Sequence, residues 1–204
     1  GALTGFAHGQ VLLEDNFSGS GPLAGTAPDT VNTGGDTWIV SDGTNTLGGG
    51  VDSYSDFTRS TYNSLAYSGS SFIDGDTYTL AANFTTDGAG WLAIGFGYGA
   101  VGGGNPFDPT ASATMLLNNG TGSWVAWYTD GGLPWGSAVG STDNPGLDSG
   151  TMEIQMTLDN TGNASLSYFI GPDANHLTEV NPGAPLSLTS TEVDAITSVG
   201  FTGN

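Results

Sequence analysis

Apolar side chains recur along this chain at every second position, and helical spacing never persists beyond about two turns. In Thr77–Thr86 the residues Tyr78, Leu80, Ala82 and Phe84 fall on one side, with Thr77, Thr79, Ala81, Asn83 and Thr85 opposite. Met152, Ile154, Met156 and Leu158 repeat the pattern, as do Leu166, Tyr168 and Ile170. A strand sends successive side chains to opposite faces, so each run has one buried and one wet face, as in antiparallel sheets. Other strand-like runs are Val11–Phe17, Asp36–Ser41, Trp91–Tyr98, Ala113–Asn118, Ser123–Thr129 and Ala195–Thr202. Trp91–Tyr98 is apolar on both faces except where glycine thins it, which predicts a central strand under close backbone contact. Asp87-Gly88, Asn119-Gly120, Asp130-Gly131 and Asp159–Asn163 separate such runs and predict hairpins. Gly19–Asp36, Gly99–Pro109 and Leu133–Ser149 read as loops, and no linker divides the chain. The expected fold is all-β: one two-sheet antiparallel sandwich.

Charge then limits what such a sandwich can bind. Twenty acids face one base, Arg59, for a formal charge of −19 over 204 residues. No basic patch exists to neutralise phosphates or anionic head groups, which excludes nucleic acid and attraction to anionic lipid surfaces. The longest apolar run is far too short to span a membrane. Cysteine is absent, so there is no disulfide, thiolate metal site or cysteine nucleophile. Lysine is absent too, which removes Schiff-base chemistry and lysine-linked covalent polymers. Hydrophobic residues make up 37%, enough for a sizeable core despite 35 glycines. A nearly pure anionic surface suits a salty extracellular setting with neutralising cations. Gly1 in place of an initiator Met reads as the start of a mature secreted chain.

Several segments together resemble a known fold. Tyr78–Phe84, Gly90–Phe96 and Thr114–Leu117 are followed by Met152–Asp159, Leu166–Phe169 and Ile196–Phe201. This succession resembles the concanavalin-A-like (laminin-G-like) jelly roll, in the form found in secreted bacterial proteins with a C-terminal sorting tail. The resemblance spans roughly residues 12 to 202 and implies two stacked antiparallel sheets, often binding carbohydrate or protein. Family members follow the Val-Gly-Phe strand with a further strand that pairs near the first. Here the chain stops at Asn204, so that strand is expected to be missing, leaving an open groove. Gly1–Gln10 form an extension ahead of the sandwich domain, residues 11–204. Within and just after it, Leu3, Phe6, Ala7 and Val11 are candidates to fill the equivalent groove of a neighbour. Such a contact joins different surfaces, so it is head-to-tail and propagates into a homopolymer.

Other chemistries fit the sequence less well. A glycosidase needs two carboxylates about 5–9.5 Å apart. The four glutamates, Glu14, Glu153, Glu179 and Glu192, are dispersed, and Glu153 alternates with Met152 and Ile154 onto a wet face. His8 and His176 are the only histidines, and no Gly-x-Ser-x-Gly elbow accompanies them. No enzyme is expected. Calcium is the one plausible cofactor, since hard cations gather six to eight oxygens. Its weak candidates are Asp74, Asp76, Asp108 and Asp159. Trp124, Tyr128 and Trp135 are candidates for stacking on sugar rings, with Trp127 on the opposite face of the same strand. Two functions follow: a self-assembling extracellular subunit, its partners copies of itself, or a secreted module that binds polysaccharide.

Overall fold

The computed structural model describes residues 11–31, 37–40, 46–47, 51–52, 62–66, 72–86, 90–98, 111–119, 124–129, 138–143, 145–183 and 186–203. Its first strands are short: β1 (Leu13–Glu14), β2 (Gly21–Pro22), β3 (Thr30–Val31), β4 (Ile39–Val40), β5 (Thr46–Leu47) and β6 (Val51–Asp52). Longer ones follow: β7 (Tyr62–Ala66), β8 (Thr77–Thr85), β9 (Trp91–Tyr98), β10 (Ala111–Asn118), β11 (Trp124–Thr129), β12 (Gly140–Asp143), β13 (Ser149–Leu158) and β14 (Ala164–Gly171). The chain closes with β15 (Thr178–Glu179), β16 (Leu186–Leu188), helix α1 (Ser190–Asp194) and β17 (Ile196–Gly203).

Seven strands form one sheet in the order β12-β11-β10-β9-β17-β7-β4. Five form the other, β15-β14-β13-β8 with β16 also on β14. Every pairing is antiparallel. The fold is therefore the two-sheet antiparallel jelly-roll sandwich that period-two spacing predicts. Ile94, Phe96, Met115, Leu117, Val125 and Trp127 on one sheet meet Met152, Ile154, Met156, Leu166, Tyr168 and Ile170 on the other. Trp127 and Tyr168 stack across the interface with centroids 6.4 Å apart. Burial pushes the Tyr168 phenol far above its usual range. Trp91–Tyr98 is interior to its sheet, between β10 and β17, and its Gly95 faces Gly200 of β17.

Three expectations are corrected. Of Val11–Phe17 only Leu13–Glu14 pairs as strand, because Phe17 turns into the left-handed region at φ 52°. Of Asp36–Ser41 only Ile39–Val40 does so among the described residues. The stretches that read as loops contain β2, β3 and β12, and Tyr62–Ala66 joins β17 although its sequence is not among the strand-like runs. The pairing partner supplied what these short polar segments lack in apolar alternation.

α1 carries a full capping box. The Thr189 hydroxyl accepts from the Glu192 N–H, and Glu192 Oε2 accepts from the Thr189 N–H at 2.6 Å. The helix buries Val193 and leads into β17.

Candidate functional site: an open strand edge and an aromatic row

The two outer strands of the β14-β13-β8 ladder differ. β14 is sealed along its outer side by β16 at Ala164–Leu166 and by β15 at Phe169–Ile170. Between those contacts Asn181 stands in for a strand. Its buried amide accepts from the Tyr168 N–H at 2.9 Å and donates to the Leu166 carbonyl at 3.2 Å. At the opposite edge, β8 bonds only to β13 among the described residues.

Register fixes which backbone groups of β8 face outward. Leu158 N–H donates to the Asp76 carbonyl at 2.9 Å, and Thr86 N–H donates to the Asp148 carbonyl at 2.8 Å. Both are even-numbered positions of this pairing, and antiparallel ladders alternate bonded and non-bonded pairs. The even residues of β8 thus bond to β13, while the N–H and C=O groups of Thr77, Thr79, Ala81, Asn83 and Thr85 point away from it. Those five side chains are all exposed. Lysine, proline or a bulge usually blunts such an edge, and none interrupts these nine residues.

The inward row of β8 is incompletely covered. Tyr78, Leu80, Ala82 and Phe84 are only half-buried, whereas Met152, Ile154 and Met156 on neighbouring β13 are 0% exposed. An edge strand with a neighbour missing would look like this.

The segment after β1 is tightly held. Asp15 Oδ2 accepts from the Trp38 indole N–H at 2.7 Å, and its Oδ1 accepts from the Phe17 N–H at 2.8 Å. Asp29 accepts from the Asn16 N–H, and Asn16 Oδ1 accepts from the Ser18 N–H. The Phe17 ring packs 5.7 Å from Trp38 and 5.5 Å from Phe201, centroid to centroid. A left-handed non-glycine residue costs about 1–2 kcal/mol, and this web of bonds and rings holds it there. The sequence reading assigned no role to Asp15, Trp38 or Phe17; an Asp two residues before a Phe, each with its own backbone bond, was the available signal.

On the outer face of the seven-stranded sheet, pairing aligns Asp143, Trp124, Asn118 and Trp91 in one row across four strands. Trp124 and Trp91 are half-buried, packed with Ala138 around Ala93, Leu116 and Ala126. Trp124 therefore lies opposite the core-facing Trp127, as alternation predicts. Trp91 joins it, although its strand gave no hint of a binding role. Tyr128 lies in β11 and pairs with Thr114, whose buried hydroxyl has no hydrogen-bond partner among the described residues. Trp135, Asp108, Leu3, Phe6 and Ala7 lie outside the described residues. Val11 is described and is 51% exposed.

The remaining candidate ligands sit at one end of the sandwich. Asp74 and Asp76 are exposed in the turn before β8, and Asp159 opens the β13–β14 hairpin. A Cβ on Gly162 would stand 3.6 Å from Asp74 Oδ1, so the two turns adjoin. The Asp159 carboxylate accepts from the hydroxyl and N–H of Thr161 and from the N–H and amide of Asn163. These bonds, the Thr161 hydroxyl foremost, hold its pKa below the usual carboxylate range. Among the described residues no three His, Asp or Glu side chains converge as a metal site. Exposed His176 pairs with Asp173 in its own turn at 2.8 Å. The buried Asn119 amide donates to the Leu147 carbonyl.

No protein-family model matches the sequence, and no curated protein does. Among solved structures the chain is similar to a lectin, UEA-II, complexed with galactose, at 10% identity and a TM-score of 0.44, covering 81% of this chain and 84% of that one. It is likewise similar to lectin II from Ulex europaeus, at 10% identity and a TM-score of 0.43, covering 81% and 83%.

Proposed function

We propose that this protein is a non-catalytic, secreted structural subunit that polymerises with copies of itself, the N-terminal segment of one copy adding a strand to the sandwich of the next. The open edge of β8, with its half-covered inward row, supports the reading. An added strand gives that edge main-chain bonds and covers Tyr78, Leu80, Ala82 and Phe84. Charge supports it as well. In a chain of −19, the first acid is Glu14, and β8 carries no charge over nine residues, so these strips meet without setting carboxylates together. Electron microscopy of the protein across a concentration series tests it. Filaments are expected, lost on deleting Gly1–Gln10 while the domain still melts cooperatively; monomers at every concentration overturn it.

A second reading, a carbohydrate-binding module, is favoured by the row Asp143–Trp124–Asn118–Trp91. Indole faces stack on the apolar faces of sugar rings, and amide or carboxylate oxygens between them accept from hydroxyls. Glycan-array binding that disappears in Trp124→Ala would support it, and an array without any signal would reject it.

A further inference from the structure

The edge of β8 has a counterpart. β1 pairs with β3 on one side, and no backbone bond joins β1 to β8 among the described residues. Both strands border the same core. Leu13 and Phe17 pack against it, the Phe17 ring meeting Phe201 of the seven-stranded sheet, and Tyr78, Leu80, Ala82 and Phe84 pack against it as well. The core that faces the seven-stranded sheet is therefore covered by the five-stranded sheet and also by Leu13 of the β1–β3 pair, and among the described residues β8 and β1 are each bonded on one side only.

Resting on the assembly reading above, we infer that β8 and β1 are the two walls of a single slot, filled by residues 2–8 of a second copy that bonds to both. The β8 wall supplies the outward groups of Thr77, Thr79, Ala81, Asn83 and Thr85. The entering strand has its own parity. Leu3, Gly5 and Ala7 share one face, and Ala2, Thr4, Phe6 and His8 share the other. Leu3 and Ala7 are the pair that suits the core side, and glycine between them at position 5 can stand opposite the bulky Phe84 or Tyr78, which puts one of the pair beside Ala82 or Leu80. Phe6 then lies on the outer face, a departure from grouping it with Leu3. Length agrees too, since seven residues of strand span about 24 Å, within the reach of nine-residue β8.

A second copy fills the slot more simply than the chain's own segment does. That segment runs directly into β1, one of the walls, so entering its own slot requires a reversal within residues 9–12. Gln10, Val11 and Leu12 are not turn-forming residues, and only Gly9 is. A neighbour's segment enters without reversal. The Asp15–Trp38 bond and the Phe17 packing hold the β1 wall in place.

The absence of cysteine makes the test clean, because every introduced thiol is unique. Full-length double variants pair Ala81→Cys on the outer face of β8 with Thr4→Cys or Phe6→Cys, or with Leu3→Cys. After mild oxidation they are run on a non-reducing gel, and Thr79→Cys repeats the set should Ala81→Cys fail to fold. Disulfides need the two Cβ atoms within about 4.5 Å, so a multimer ladder from positions 4 or 6 should exceed that from position 3 about tenfold. Cross-linked product that stays at monomer mass means the chain fills its own slot and overturns the inference. Filaments without cross-links, or with equal yields from positions 3, 4 and 6, overturn the slot while leaving polymerisation intact. Absence of filaments from the unmodified protein overturns both.

Discussion

Ala81 and Ala82 are adjacent in β8, chemically identical and opposite in backbone role, which makes proline at each a matched test of the edge. At Ala82 the N–H points to β13, opposite Met152. Ala82→Pro removes that bond and strands the Met152 carbonyl under the sheet. The lost bond is worth about 1 kcal/mol, and the unpaired acceptor costs about 1–3 kcal/mol more. The total, about 2–4 kcal/mol, lowers the melting temperature of a domain this size by roughly 5–15 °C at about 2–4 °C per kcal/mol. At Ala81 the N–H points away from β13, and proline is tolerated on the outward positions of an edge strand. Ala81→Pro should therefore cost less than about 1 kcal/mol, from restriction of φ alone. The assay is thermal and urea unfolding of both variants at a protein concentration where the parent is monomeric. In the same pair, filament formation should fail in Ala81→Pro although that variant is the more stable. Equal destabilisation, or a larger loss at Ala81, would refute the register argument and the open edge built on it.

Three further outcomes follow from the fold. Asn181→Ala unpairs the buried Tyr168 N–H and Leu166 carbonyl, so urea unfolding should show a loss of about 2–4 kcal/mol. Gly171→Ala drives a Cβ into the His176 carbonyl oxygen, a backbone clash costing about 1–3 kcal/mol. Gly183→Ala, in open space at φ 75°, should cost about 1 kcal/mol, and the reverse order in melting temperature would contradict the packing. Because the folded pKa of Asp159 is lowered, its contribution is present at neutral pH and lost as pH falls through that lowered value. The melting-temperature gap between the parent and Asp159→Ala should therefore be widest near neutrality and close in acid, and a gap that widens in acid would be contrary.

Period-two alternation made the long strands legible to within a residue or two. β8, β13 and β14 each bury one face against an opposing sheet, and burial is what alternation records. Tyr62–Ala66 and Gly140–Asp143 escaped because hydrogen-bonded pairing, not an apolar face, defines them. Glycine placed Trp91–Tyr98 at the centre of its sheet correctly, since Gly95 meets Gly200 there. The candidate sites were legible only in part. Trp124 and Trp127 fell on opposite faces as spacing requires, whereas the alignment with Asn118 and Trp91 depends on pairing registers between strands far apart in sequence. The Asp15–Trp38 bond joins residues 23 apart through side chains alone, and no local pattern announces it.

Asn181 has a consequence beyond stability. By spanning the stretch between β15 and β16 with a side chain, it completes the outer ladder of β14 without a third strand. One amide thereby ties the connection between β15 and β16 to the middle of a core strand, so that connection cannot peel away without opening the interior of the sheet.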